Sequence, residues 1–199
     1  TSKPCIISTG MSTLSEIQKV YEIYSSSDIA FLHCISNYPC SDESLNLNVI
    51  RSLSNLFNVP VGFSDHSNGS LAAISAVTLG AKIIEKHFTT NKLLNGPDHK
   101  ASSNPEEFEI FVNQIRRVEK MLGTTLKKLQ KEEIDMRNTS RKSLHLANDL
   151  PINQVIFKKD LELKRPGNGL SFEYIDFFIG KKTTKAFKKG HMISLGDVF

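Results

Sequence analysis

The chain has 199 residues, with 25 Lys and Arg against 21 Asp and Glu, a formal charge of +4 and 39% apolar residues. That length can bury a sizeable core as one large domain or as a medium and a small one. No apolar run is long enough to cross a bilayer and no basic–apolar–small leader opens the chain, so a soluble cytoplasmic protein without a membrane partner is the expectation. Lysines gather toward the C-terminus (Lys181, Lys182, Lys185, Lys188, Lys189) without interleaved aromatics. They read as a solvated face or as attraction for anionic substrates rather than as a nucleic-acid surface. Cys5, Cys34 and Cys40 are odd in number and lack CxxC spacing, which argues against a disulfide framework or zinc knuckle.

In chain order, Cys5-Ile-Ile-Ser-Thr9 is β-prone and closed by Gly10, and Thr13-Leu-Ser-Glu16 supplies a capping box for a helix with Leu14, Ile17, Val20 and Tyr24 on one face. Ile29-Ala-Phe-Leu-His-Cys34 is the next strand, and Leu47, Ile50, Leu53, Leu56 and Phe57 mark the next helix. Val59 to Phe63 predicts a third strand, followed by a close-packing helix with Leu71, Ile74 and Val77 that Gly80 stops. Ala81 to Phe88 predicts the fourth strand. After a polar loop through Asn95-Gly-Pro-Asp98, a helix opens near Ser103 to Glu106, with Pro105 in its first turn, and carries Phe108, Phe111, Val112, Ile115, Val118 and Leu122.

Four consecutive strand–helix units predict a parallel α/β sheet with right-handed crossovers. A closed barrel needs eight strands, so residues 1–124 are expected to be a small open sheet or part of a barrel, and the strand that begins almost at residue 1 favours the second. Residues 125–138 form a charged helical or linker stretch. Beyond it, short alternating runs (Ser143–Leu146, Val155–Phe157, Met192–Leu195) between turn residues predict a small β-rich domain over 139–199.

The pattern converges on Val61-Gly-Phe-Ser-Asp-His-Ser67 and Ile83-Ile-Glu-Lys-His-Phe88. Each apolar run delivers a histidine, His66 or His87, where the hydrophobic pattern stops, and strand C-termini are where active sites of such sheets form. Two imidazoles from neighbouring strands can hold one metal ion and leave open positions, which suits manganese or magnesium better than a closed zinc site. Glu85 could orient His87 or a substrate, or pair with Lys86 or Lys100. His33, inside a strand, reads as packed, and Cys34 as a small core residue. Ser8, just before a capped helix, reads as a phosphate contact. Asp98, on a Gly-Pro turn above the rim, could accept hydrogen bonds from sugar hydroxyls.

Ser8-Thr-Gly-Met11, His33-Cys34 followed by Tyr38-Pro39, Phe63-Ser-Asp-His66, Glu85-Lys-His-Phe88, Gly96-Pro-Asp98 and Lys164-Arg-Pro-Gly-Asn-Gly169 occur in the order and spacing of the sialic acid synthase family, which the chain resembles over nearly its whole length. The resemblance implies the C-terminal half of a (β/α)8 TIM barrel (the last four strand–helix units) followed by a small SAF, or antifreeze-like, domain. The first half of that barrel, which in the family carries a glutamate and lysines for sugar and phosphate binding, has no counterpart in this chain. The implied reaction condenses phosphoenolpyruvate with N-acetylmannosamine or a related N-acetylated amino sugar and releases phosphate, with a divalent metal, Mn2+ or Mg2+, in a domain-swapped homodimer. By position, His66 and His87 match metal ligands, Ser8, Ser36 and Ser64 match phosphoenolpyruvate contacts, and Tyr38 and Asp98 match residues lining the sugar site. Glu85 and Asp98 are the candidate catalytic carboxylates. Arg165 matches an SAF arginine that reaches the partner's active site. Ser36 stands where some relatives have asparagine. A non-catalytic carbohydrate-binding fragment and another metal-dependent barrel aldolase are the competing readings.

Overall fold

The computed structural model describes residues 3–24 and 28–199 and divides into two compact units, Thr1–Thr124 and Thr125–Phe199. In the first unit, strands and helices alternate: β1 (Cys5–Ser8), α1 (Leu14–Ile23), β2 (Ile29–Cys34), α2 (Val49–Leu56), β3 (Val61–Asp65), α3 (Leu71–Thr78), β4 (Ile84–Lys86) and α4 (Pro105–Leu122). The strands form one parallel sheet in the order β1-β2-β3-β4, as sequential crossovers dictate.

Alternation along the strands sorts two faces. Ile29, Phe31, Val61 and Phe63 pack with Ile17 of α1, Ile50 and Leu53 of α2 and Ala72 and Ala76 of α3 in one core, so this face lies under the helices. The opposite face carries Ile6 and Ser8, Leu32 and Cys34, Gly62 and Ser64, and Glu85. Gly62 is required there: a Cβ would collide with the backbone of Ile83 and the side chain of Leu32, so β3 and β4 can lie close only because position 62 has none. His33 falls on the helix side, stacked on Phe63 at 6.0 Å, with Nε2 2.7 Å from the Leu45 carbonyl, which bears out its reading as packed.

Several boundaries differ from the sequence expectation. The fourth strand is three residues, Ile84–Lys86, instead of Ala81–Phe88, because Ser103 takes the next backbone groups, its carbonyl accepting from Thr89 N and its N–H donating to the His87 carbonyl, and draws the chain into a loop. The third strand begins at Val61 and runs to Asp65. Leu56 and Leu14 point outward, since α2 buries Ile50 and Leu53 and α1 buries Ile17. The last helix is capped by Asn104, whose side chain accepts from Glu107 N while the Glu107 carboxylate accepts from Asn104 N, a complete capping box.

In the second unit, α5 (Ile134–Ser140) precedes an antiparallel pair, β5 (Ser143–Leu146) with β6 (Leu161–Lys164), and a short α6 (Ile175–Phe178). Leu144, Leu146, Ile156, Phe178 and Ile193 form its own core. The runs Val155–Phe157 and Met192–Leu195 join by isolated bridges, Val155 to Lys182 and His145 to Met192, rather than as the regular strands their alternation predicts. Asp160 explains part of this: its carboxylate accepts from Phe157 N at 3.0 Å and from Asn148 Nδ2 at 3.1 Å, turning the chain before a ladder can extend.

Candidate active site

β3 and β4 are in register Ser64 opposite Glu85 and Asp65 opposite Lys86. One residue on, both strands end, and His66 and His87 emerge on the side of Ser64 and Glu85. Their ring centroids are 4.9 Å apart. Tyr38, from the loop after β2, lies against both, 5.2 Å from His66 and 4.2 Å from His87. The structure thus brings together three of the sequence candidates as one aromatic cluster at the strand ends.

The His66 ring is fixed from behind, with Nδ1 2.8 Å from the Ile35 carbonyl. A carbonyl only accepts, so Nδ1 carries the proton and Nε2 keeps its lone pair. A carbonyl-held imidazole of this kind is how metal-binding histidines are ordinarily oriented. Tyr38 is held by burial, which pushes its phenol pKa up, helped by the nearby Asp98 charge and opposed by the Ser102 hydroxyl. The phenol therefore stays protonated. Its oxygen is buried and has no hydrogen-bond partner among the described residues, while the nearby Ser102 hydroxyl donates to the Asp98 carbonyl at 2.8 Å.

Ser64 is buried and donates to Glu85 Oε1 at 2.6 Å, placing a carboxylate on the face that carries the histidines. Ser36 is exposed beside Gly10, where a Cβ would strike the Ser36 hydroxyl, and Ser8 is exposed at the end of β1. Asp98 is exposed in the loop before α4, and its carbonyl accepts from Ser102 N at 3.0 Å. Arg165 belongs to the second unit, where its Nε donates to the Ser140 carbonyl at 3.0 Å.

Of the alternatives open for Glu85, the ion pair with Lys86 or Lys100 is not the one the structure forms. Glu85 and Lys86 are neighbours in a strand and point to opposite faces; the carboxylate takes the Ser64 hydroxyl, and Lys86 crosses to Asp65 at 2.9 Å. That ion pair is almost fully buried, with side-chain exposures of 2% and 0%. Period-two alternation alone would have separated Lys86 from Glu85, but its partner depends on register. No group of three or more His, Cys, Asp or Glu poised for a metal occurs among the described residues. The histidine pair, one member oriented by a carbonyl and both lying against the single Tyr38 ring, nevertheless suits a divalent ion that takes its remaining ligands from water or substrate.

Comparison with known proteins extends this. The NeuB family model matches residues 1–127 and the SAF domain model residues 141–198. An N,N'-diacetyllegionaminic acid synthase of Legionella pneumophila is 42% identical over 94% of this chain and 54% of its own length. A pseudaminic acid synthase of Campylobacter jejuni is 38% identical over 98% of this chain and 57% of its own. Among solved structures, an N-acetylneuraminic acid (sialic acid) synthetase from Leptospira borgpetersenii, in complex with citrate, aligns with a TM-score of 0.60 at 37% identity, covering 67% of this chain and 48% of that one. The chain spans little more than half the length of these curated relatives. By its family models and its relatives, it belongs to the NeuB family, the sialic acid synthases, and ends in an SAF domain.

Proposed function

We propose that this chain is the catalytic C-terminal half of a nonulosonic acid synthase that condenses phosphoenolpyruvate with N-acetylmannosamine or a related N-acetylated amino sugar and releases phosphate. In this reading its sheet supplies the last four strands of a (β/α)8 barrel, and the enzyme works as a homodimer in the cytoplasm. The observation that carries the reading is the cluster of His66, Tyr38 and His87 beside the Ser64–Glu85 pair at the strand C-termini.

Each residue has a part its surroundings support. His66, with Nδ1 committed to Ile35, offers Nε2, and His87 offers its ring beside it. A divalent ion, Mn2+ or Mg2+, held there would supply Lewis acidity toward the sugar carbonyl. Ser8 and Ser36, exposed on neighbouring strand ends, present hydroxyls to a phosphate or carboxylate. Tyr38 offers a protonated phenol that gains a partner when a sugar oxygen arrives, and Asp98 accepts from sugar hydroxyls. Glu85, kept in place by Ser64, is positioned to orient substrate or move a proton as the new C–C bond forms.

The test is phosphate release from phosphoenolpyruvate on adding N-acetylmannosamine and Mn2+, measured on the chain and on any longer polypeptide whose reading frame contains it. Expected is sugar- and metal-dependent release that His66→Ala and His87→Ala each reduce at least 100-fold with the far-ultraviolet dichroism unchanged. Full activity and manganese affinity in either variant would sink the reading. Turnover of an aldehyde without phosphoenolpyruvate would favour a different barrel aldolase.

A further inference from the structure

The two strands that deliver the histidines are joined by very little. β3 and β4 share three residue pairs, Phe63 with Ile84, Ser64 with Glu85 and Asp65 with Lys86. So short a ladder specifies register weakly, and a shift by one residue would turn His87 from the open face to the helix side. The last pair before the histidines is the buried ion pair. We infer that Asp65 and Lys86 act as positioning residues: a buried staple on the helix side of the sheet that sets the spacing of His66, His87 and Tyr38 on its open face.

The geometry supports this at each atom. Asp65 Oδ2 receives the Lys86 ammonium at 2.9 Å, while Oδ1 accepts from Ser67 N at 2.8 Å and Ser67 Oγ at 2.7 Å. The ammonium also donates to the Ser67 carbonyl and sits 5.7 Å from the Phe111 ring centroid of α4. One side chain adjacent to His66 and one adjacent to His87 are therefore tied to each other, to the turn after His66 and to the helix that covers both. Any other register would leave a buried carboxylate and a buried ammonium unpaired, which is far more penalised than the loss of an exposed pair. The pair thus excludes wrong registers, the use of buried ions with the best physical basis. On the open face, Ser64 and Glu85 reinforce the same register.

This inference rests on the reading of His66 and His87 as one site, and its test has a readout that does not. The double variant Asp65→Asn/Lys86→Met removes both charges while keeping an acceptor for Ser67 and most of the lysine's length. Asp65→Asn alone, which leaves the Lys86 ammonium buried without its counter-charge, is the harsher companion. With ring-13C tyrosine and histidine, the ring-current-shifted Tyr38 signal reports the imidazoles on its two sides without metal. In the folded double variant this signal should move toward that of an exposed tyrosine, and Mn2+ dissociation constants should rise about 10- to 100-fold, the usual effect of losing support behind a ligand. Folded Asp65→Asn should move both in the same direction by at least as much, because its ammonium has lost the carboxylate that holds it. Either variant, folded, with the Tyr38 signal and the Mn2+ affinity unchanged would overturn the inference. A wild-type protein that binds no Mn2+ would count against the metal reading alone, and the Tyr38 signal would still decide the role of the staple.

Discussion

Ser64 donates its hydroxyl to Glu85 Oε1 at 2.6 Å across the β3–β4 pair, and the two stand two residues before His66 and His87 on their respective strands. Ser64 is buried and Glu85 is exposed, so the bond anchors a solvent-facing carboxylate to a rigid strand. Glu85→Gln keeps the length and an oxygen acceptor for Ser64 but removes the charge. If the carboxylate moves a proton or orients substrate, kcat for phosphate release should fall about 100- to 10,000-fold, with a smaller change in KM. Ser64→Ala leaves the carboxylate in place but free to swing, and should chiefly raise KM for phosphoenolpyruvate. Steady-state kinetics with both substrates varied separates the two; near wild-type kcat in Glu85→Gln would leave the pair a purely structural one.

The alternation of strand and helix, the convergence of His66 and His87, and the packed place of His33 were all legible, because period and parity are properties of the sequence itself. Glu85 and Lys86 show where that legibility stops. Parity separates them, yet only the cross-strand register reveals that one meets Ser64 and the other Asp65. The loop that carries Tyr38 could be given to the site only through family resemblance, since no local pattern tells a loop which strand ends it will cover. The end of β4 was misjudged for a similar reason: Ala81 to Phe88 looks like one apolar strand, but Ser103, far along the chain, competes for the backbone groups of His87 and Thr89. In the second unit, alternation overstated regular strands, because the buried Asp160 closes turns by side-chain bonds that no period encodes.

His33 gives the first unit a defined response to acid. Burial pushes its pKa below the ordinary histidine value, only partly offset by the hydrogen bond to the Leu45 carbonyl. The unfolded chain therefore takes up a proton at this position near pH 6.5, before the folded one does. Between that value and the lower folded pKa, the unfolded state binds more protons, so stability falls as pH drops. It is fully present above about pH 6.5, and the loss attributable to His33 is at most about 1.4 kcal/mol per pH unit. Denaturant midpoints measured from pH 7.5 to 5 should decline more steeply in the wild type than in His33→Gln, which keeps a donor but cannot titrate. Parallel declines in the two proteins would show that His33 does not govern this window.

Arg165 is presented by a loop that the second unit pins from beneath. The buried Ser143 hydroxyl donates to the Pro166 carbonyl at 2.7 Å and accepts from Gly169 N at 2.8 Å, and Gly167 N donates to the Asn138 carbonyl at 2.6 Å. Gly167 and Gly169 admit no Cβ, the first against Arg141 and the second against Met192, so the loop is fixed by packing as well as by hydrogen bonds. The guanidinium spends Nε on Ser140 and leaves its terminal nitrogens without a partner among the described residues, a planar pair of donors suited to sugar oxygens, an N-acyl carbonyl or a carboxylate. If the proposed homodimer places this loop over the partner's site, Arg165→Ala should raise KM for the amino sugar far more than for phosphoenolpyruvate. Mixing Arg165→Ala with His66→Ala should then restore activity, because one of the two sites in each mixed dimer combines an intact barrel with an intact loop. Kinetics of the single variant and of the mixture test both parts. No recovery on mixing, with subunit exchange verified by a tagged protomer, would confine Arg165 to its own subunit.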